Sequence, residues 1–263
     1  MTIVARPFPP AMPHGEIREV LPGIHFVTGT VGMPGPLPVR FSRNMTILRE
    51  GERLVLVNSV RLSDEGLAAL DRLGKVTDVI RLAANHGMDD PFYADRYGAK
   101  VWAVKGQRYT AGFNTSAPQT YFAPHVEVDE TTKLPLEGAR LYLIHSQPTE
   151  ALLLLERHGG VCIAGDCLQH WHRTDAYFSW LGSAIMRVLG FIKPHNVGPG
   201  WLRQARPPKE ELRGILGLAF DHVLPSHGEP VMGGAVEKYR PAIDRVSRQG
   251  AGEGHASRRV IVE

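Results

Sequence analysis

Four short polar clusters in this chain pair histidine or aspartate with the end of an apolar run. Asn85-His86-Gly87-Met88-Asp89-Asp90-Pro91 follows the apolar-rich stretch 76–83. His145 follows Leu141-Tyr142-Leu143-Ile144, Asp166 and Cys167 follow Val161-Cys162-Ile163-Ala164, and His227 follows Leu224-Pro225-Ser226. Imidazole and carboxylate are the usual ligands of zinc and iron, and a loop on a strand end holds them on a rigid base. Taken singly, each has a plainer reading: a histidine bonded to a carbonyl, an aspartate capping a loop, turn chemistry around His227. Their common placement at strand ends is what those plainer readings leave unexplained.

Further groups lie close by. Cys167 is open to three readings, a metal ligand, a nucleophile or a small buried hydrophobe. His170-Trp171-His172 puts two imidazoles on one side of an extended segment and could supply ligands if it folds back on the site. The apolar stretch 177–192, with Trp180, could wall or cover a pocket, make a homodimer contact, or be a buried helix. Trp201 could wall the same pocket, and a ligand met by these aromatics would be apolar or amphipathic.

The elements that must position these groups are legible from periodicity. Strands are expected at 24–28, 44–48, 54–58 and 76–83, with a hairpin turn at Glu50-Gly51-Glu52. Ser63 or Asp64 caps a helix whose Leu67, Leu70 and Leu73 recur at helical spacing, and Gly74 ends it. A short helix over 91–97 and a strand over 100–104 follow. The second part reads as strands at 141–144, 151–155 and 161–164, a helix over 177–192 with a stripe of Tyr177, Leu181, Ile185, Val188 and Ile192, and an irregular segment 194–208. It closes with a helix over 210–218, a strand over 221–224 and a helix over 235–248. Residues 1–22 read as a proline-rich arm, 23–249 as one domain and 250–263 as a tail, with an edge strand expected at 259–262. Two sheets face to face with helices outside would bury both sets of strands, an α/β architecture of αββα type.

In the order and spacing of the His86 loop, Gly165-Asp166 and Pro225-Ser226-His227-Gly228, residues 20–245 resemble the metallo-β-lactamase superfamily. The resemblance implies an αββα sandwich with metals at one edge of the sheets. The family's His-x-His-x-Asp-His loop is altered: Met88 and Pro91 stand at two of its histidine positions, while His86 and Asp90 are kept. Each of the two family metal positions thus loses an imidazole. By analogy, His86, His145 and Asp166 converge on one zinc or iron ion, Asp90 is the general base, and His227 is a second-position ligand or proton donor. The resemblance supports a mononuclear metal-dependent hydrolase of a small-molecule substrate. Two other readings stand beside it: a metal-free ligand-binding or scaffold protein without cofactor, and an iron sulfur-dioxygenase-like enzyme.

Composition narrows the field. The 263 residues are 43% hydrophobic and 22% charged, with a formal charge of +3 and 12 histidines. Scattered Lys and Arg give no footprint for nucleic acid, and no apolar run reaches the length of a membrane span. Two cysteines and no export-signal pattern at the N-terminus point to a reducing, cytoplasmic setting. No Gly-x-Ser-x-Gly elbow, phosphate-cradling loop or His-Glu-x-x-His motif is present.

Overall fold

The computed structural model describes residues 8, 10–33, 37, 39–107 and 123–248. Most of the segment 1–9, the tail 250–263 with its expected edge strand, and residues up to 122 of the segment read from Tyr121 lie outside the described residues. The first sheet has seven strands in sequence order: β1 (Arg18–Leu21), β2 (Ile24–Gly32), β3 (Arg40–Glu50), β4 (Arg53–Val57), β5 (Lys75–Arg81), β6 (Lys100–Val104) and β7 (Val126–Val128). β1 to β4 pair antiparallel and β4 to β7 pair parallel, with β4 shared between the two runs. α1 (Asp64–Leu73) connects β4 to β5, and α2 (Asp90–Tyr97) connects β5 to β6. Ser63 caps α1 by accepting a hydrogen bond from the Gly66 N–H, as its sequence position implies.

The second sheet contains β8 (Ala139–Ile144), β9 (Glu150–Leu155) and β10 (Val161–Ala164), with the later strand β13 (His222–Pro225) parallel to β10 at its edge. Between β10 and β13 run β11 (Leu168–Gln169) paired with β12 (Asn196–Val197), and the helices α3 (Trp180–Val188), α4 (Pro199–Ala205) and α5 (Lys209–Gly214). The C-terminal helix α6 (Ala235–Arg248) runs through Pro241.

Side-chain alternation assigns the layers. In β4, Val55 and Val57 enter the core between the sheets, whereas Leu54 and Leu56 face Leu67, Leu70 and Tyr93 of α1 and α2. In β9, Leu153 and Leu155 face the inter-sheet core, and Leu152 and Leu154 face Trp201, Leu212 and Tyr239 of the outer helices. Successive strand residues point to opposite faces. A strand covered on both sides is therefore apolar at consecutive positions, as β9 is from Ala151 onward. The result is the αββα sandwich.

Three local expectations change. The arm contains β1, turned onto β2 through Gly23 at φ 73°. The segment expected to be irregular holds α4, with Pro199 in its first turn, where proline's missing N–H costs nothing. The helix expected over 177–192 is shorter and rotated, since it buries Gly182 and Met186 and leaves Val188 87% exposed. A Cβ on Gly182 would meet the Arg40 carbonyl oxygen, so the missing side chain lets α3 lie against β3.

One side chain stitches the sheets together at their common edge. Asn58, just after β4, takes φ 54°, a region asparagine tolerates. Its Oδ1 accepts from the Leu82 N–H at 2.9 Å, and its Nδ2 donates to Ser226 Oγ at 2.7 Å and the Ala164 carbonyl at 3.4 Å. Replacing Asn58 by alanine leaves the buried Leu82 N–H without its acceptor, a cost of roughly 1–3 kcal/mol. Urea unfolding should show that loss, and an unchanged midpoint would mean that Asn58 does not hold the sheets together.

Candidate metal centre

Leu82, Ala164 and Ser226, the three groups bound by Asn58, each stand shortly before a candidate ligand. After β5 the chain enters a single 3-10 turn, Ala84–His86, which directs His86 inward. The adjacent parallel strands β10 and β13 pair Ala164 with Pro225, so Asp166 and His227 leave the sheet side by side. Gly228 follows at φ 95°, and a Cβ there would overlap the His170 carbonyl group. The close crossing of the two loops therefore requires glycine.

His86, Asp166 and His227 converge, with one ligand atom from each lying within 4.8 Å of the others. Both Nε2 atoms face the same carboxylate oxygen, Asp166 Oδ1, at 3.2 Å from His86 and 3.0 Å from His227. His227 Nδ1 lies 3.0 Å from the Ser42 carbonyl oxygen, which can only accept, so that nitrogen carries the proton and donates. In a neutral ring Nε2 would then be left with its lone pair aimed at a carboxylate. Two lone pairs at hydrogen-bond distance need a cation or a proton between them. Burial pushes His86 down, against the opposing pull of Asp166. Burial would raise the Asp166 carboxyl, but the His86 and His227 rings outweigh it and hold the group well below the usual carboxylate range. A deprotonated carboxylate with two imidazoles is a donor set that fits zinc or iron(II).

The other expected site residues go elsewhere. His145 does not join the group: its N–H donates to Glu211 Oε2 at 2.6 Å, its Nδ1 lies 2.8 Å from Glu211 Oε1, and its side chain is 59% exposed. The α5 carboxylate draws it outward at the end of β8. Asp90 is not placed as a base. Fully buried, it accepts from Ser59 Oγ at 2.7 Å and lies 3.9 Å from Arg81 Nη1, and burial raises its pKa. Asp89 likewise pairs with Arg43 and accepts from the Arg61 N–H. Both acids anchor the loop from behind. Gly87 lies so close to Arg81 that a Cβ would collide with the guanidinium.

Cys167 is fully buried in the outer core, and burial pushes its thiol well above the ordinary value, which disfavours the thiolate form. Cys162 and Cys167 are both free. His170 and His172 form a separate group with His195, with ring centroids 4.5 Å (His170–His172) and 4.3 Å (His170–His195) apart. His170 Nδ1 accepts from the His195 N–H, and burial, then His195 and His172, push it down to about 4. Trp180 is 80% exposed and is not among the described residues that line the cavity at the triad. Trp201, in α4, lines a cavity of about 220 Å³ that opens onto the triad.

Glu150 also lines that cavity and was not anticipated. It begins β9, and an acid opening an otherwise fully apolar strand was the available signal. Its Oε1 accepts from the Cys167 N–H at 2.8 Å. Burial, reinforced by the charge of Asp166, pushes it up to about 8 from an ordinary 4.5. The folded chain then holds a proton that the unfolded chain releases above pH 4.5, so its contribution to stability falls as pH rises from about 4.5 to about 8 and is level beyond. In metal-free protein, Glu150→Gln should flatten that decline in urea unfolding between pH 5 and pH 8. Parallel profiles for variant and parent would show Glu150 ionised in the fold.

No protein-family model matches the sequence, and no curated protein is similar to it. Solved structures are similar in fold at low identity. VMB-1 shares 10% identity at a TM-score of 0.61, over 88% of this chain and 97% of its own. The metallo-β-lactamase FIM-1 from Pseudomonas aeruginosa, in its mono-zinc form, shares 14% at 0.58, over 91% and 99%. A metallo-β-lactamase from Erythrobacter litoralis shares 14% at 0.55, over 90% and 96%. With the layer order and the strand-end triad, these similarities establish that the chain has the metallo-β-lactamase fold.

Proposed function

We propose that this protein is a mononuclear metal-dependent hydrolase of a small molecule. The observation that carries the reading is the convergence of two imidazole nitrogens on one Asp166 oxygen, at the edge of a cavity. His86, Asp166 and His227 would hold the ion. A metal so bound would polarise a carbonyl and lower the pKa of a bound water toward ~7. The fold's mono-zinc neighbour supports a single-ion reading by analogy.

The chain's own residues have definable parts. The Ser42 carbonyl fixes the His227 tautomer, so that Nε2 is the free donor atom. Asn58 and the Asp89 and Asp90 ion pairs hold the loops that carry the ligands. Glu150, raised by burial and by the Asp166 charge in the metal-free chain, lines the cavity and could exchange a proton with a bound water. Trp171, Trp201 and Met88 line the cavity and limit water at the reacting end.

Asp166→Ala and His227→Ala should each lower the metal bound per chain to background, measured by plasma mass spectrometry on untagged protein purified without chelator. His145→Ala should leave it unchanged. Full metal retention in both triad variants would overturn the proposal.

A further inference from the structure

Six large hydrophobic side chains are strongly exposed among the described residues, and five of them lie on two neighbouring segments. Met33 and Leu37 are on the loop between β2 and β3, and Trp180, Val188 and Leu189 are on α3 or directly after it. Hydrogen bonds join the two segments. The Ser179 N–H donates to the Arg40 carbonyl at 3.1 Å, and the Arg40 N–H donates to Ser179 Oγ at 3.0 Å. Trp180, Ala184 and Val188 recur at every fourth position and line the outward side of α3, while Gly182 and Met186 are buried on the inward side. A surface helix ordinarily keeps its outward side polar, so an apolar outer stripe marks a contact surface.

The charge on these segments has one sign. Residues 20–49 and 176–209 contain no Asp or Glu. Arg40 stands beside the start of α3, Arg187 lies on it, and Lys193 and Arg203 follow it, all four exposed. Arg187 Nη2 donates to Thr174 Oγ1, and Arg203 Nη2 donates to the Leu189 carbonyl, which keeps both cations at the edge of the apolar stripe. The acid that precedes the second segment, Asp175, accepts from the Tyr177 N–H. A second copy of the chain docked face to face would set these cations against one another, with no acid from either segment to pair them. A ridge of nine residues, about 14 Å long, is also small for a stable protein interface, whereas insertion into a headgroup layer asks for no matching shape.

We infer that α3 and the β2–β3 loop dock on an anionic lipid bilayer. Trp180 and Val188 enter the acyl boundary, and Arg40, Arg187, Lys193 and Arg203 meet the headgroup phosphates. α3 is far too short to cross the bilayer and lies in its surface layer. Met33 and Leu189 also line the cavity at the triad, so docking sets that side of the cavity against the bilayer. The inference stands apart from the metal reading, since none of its residues is in the triad.

Flotation of the whole chain with vesicles of phosphatidylcholine, with and without phosphatidylglycerol, tests this. The protein should float with the anionic vesicles, and added salt should weaken the association. Val188→Asp and Arg187→Glu, both at exposed positions, should leave Tm unchanged and each weaken vesicle binding about tenfold or more. Brominated acyl chains should quench tryptophan fluorescence, and Trp180→Phe should remove most of that quenching. No flotation with anionic vesicles, equal flotation with neutral ones, or flotation that survives both charge substitutions would overturn the inference. A dimer in analytical ultracentrifugation that Val188→Asp dissociates would also overturn it, giving the face to a second copy. Binding to polyglutamate as tight as binding to the anionic vesicles would overturn it in favour of an acidic protein.

Discussion

Everything at this site depends on one requirement: three strand ends from two different sheets must finish within a few ångströms of one another. Asn58 meets it. Its amide accepts from Leu82 on the way to His86 and donates to Ala164 and Ser226 on the way to Asp166 and His227. Asn44 adds a second link, donating to the Pro225 and Gly228 carbonyls at 2.9 and 2.7 Å. Hydrophobic burial between the sheets is non-directional and would tolerate sliding. The amide bonds are directional and buried, so a misregistered edge would leave polar groups unpaired. Packing brings the sheets together, and these two side chains fix where they meet.

On that frame the loops have been given different work from the pattern they resemble. Asp89 and Asp90 are spent on Arg43 and Arg81 behind the loop, and Met88 presents an apolar side chain to the cavity. His145 is held outside by Glu211. What is left facing inward is a compact donor set of two rings and one carboxylate, with the buried Glu150 beside it.

How much of this the sequence disclosed follows from the range of each interaction. Most strand positions, a cap at Ser63 or Asp64 and the strand-end positions of His86, Asp166 and His227 rest on local periodicity and turn chemistry, and they were legible. The fate of His145 was not, because its partner Glu211 lies 66 residues away and nothing near His145 announces it. Asp90 looked like a base because its buried partners Ser59 and Arg81 come from other elements. The face that α3 buries was misread for a similar reason. Its rotation is set by close approach at Gly182, where a residue without a side chain gives no apolar signal.

The most direct measurement of the account is X-ray absorption at the K-edge of whichever metal the purified protein carries. The account predicts a first shell of nitrogen and oxygen donors only, with the outer-shell scattering of two imidazoles, which His86 and His227 would supply. A sulfur neighbour, from Cys167, or three or more imidazoles, from the His170, His172 and His195 group, would contradict it.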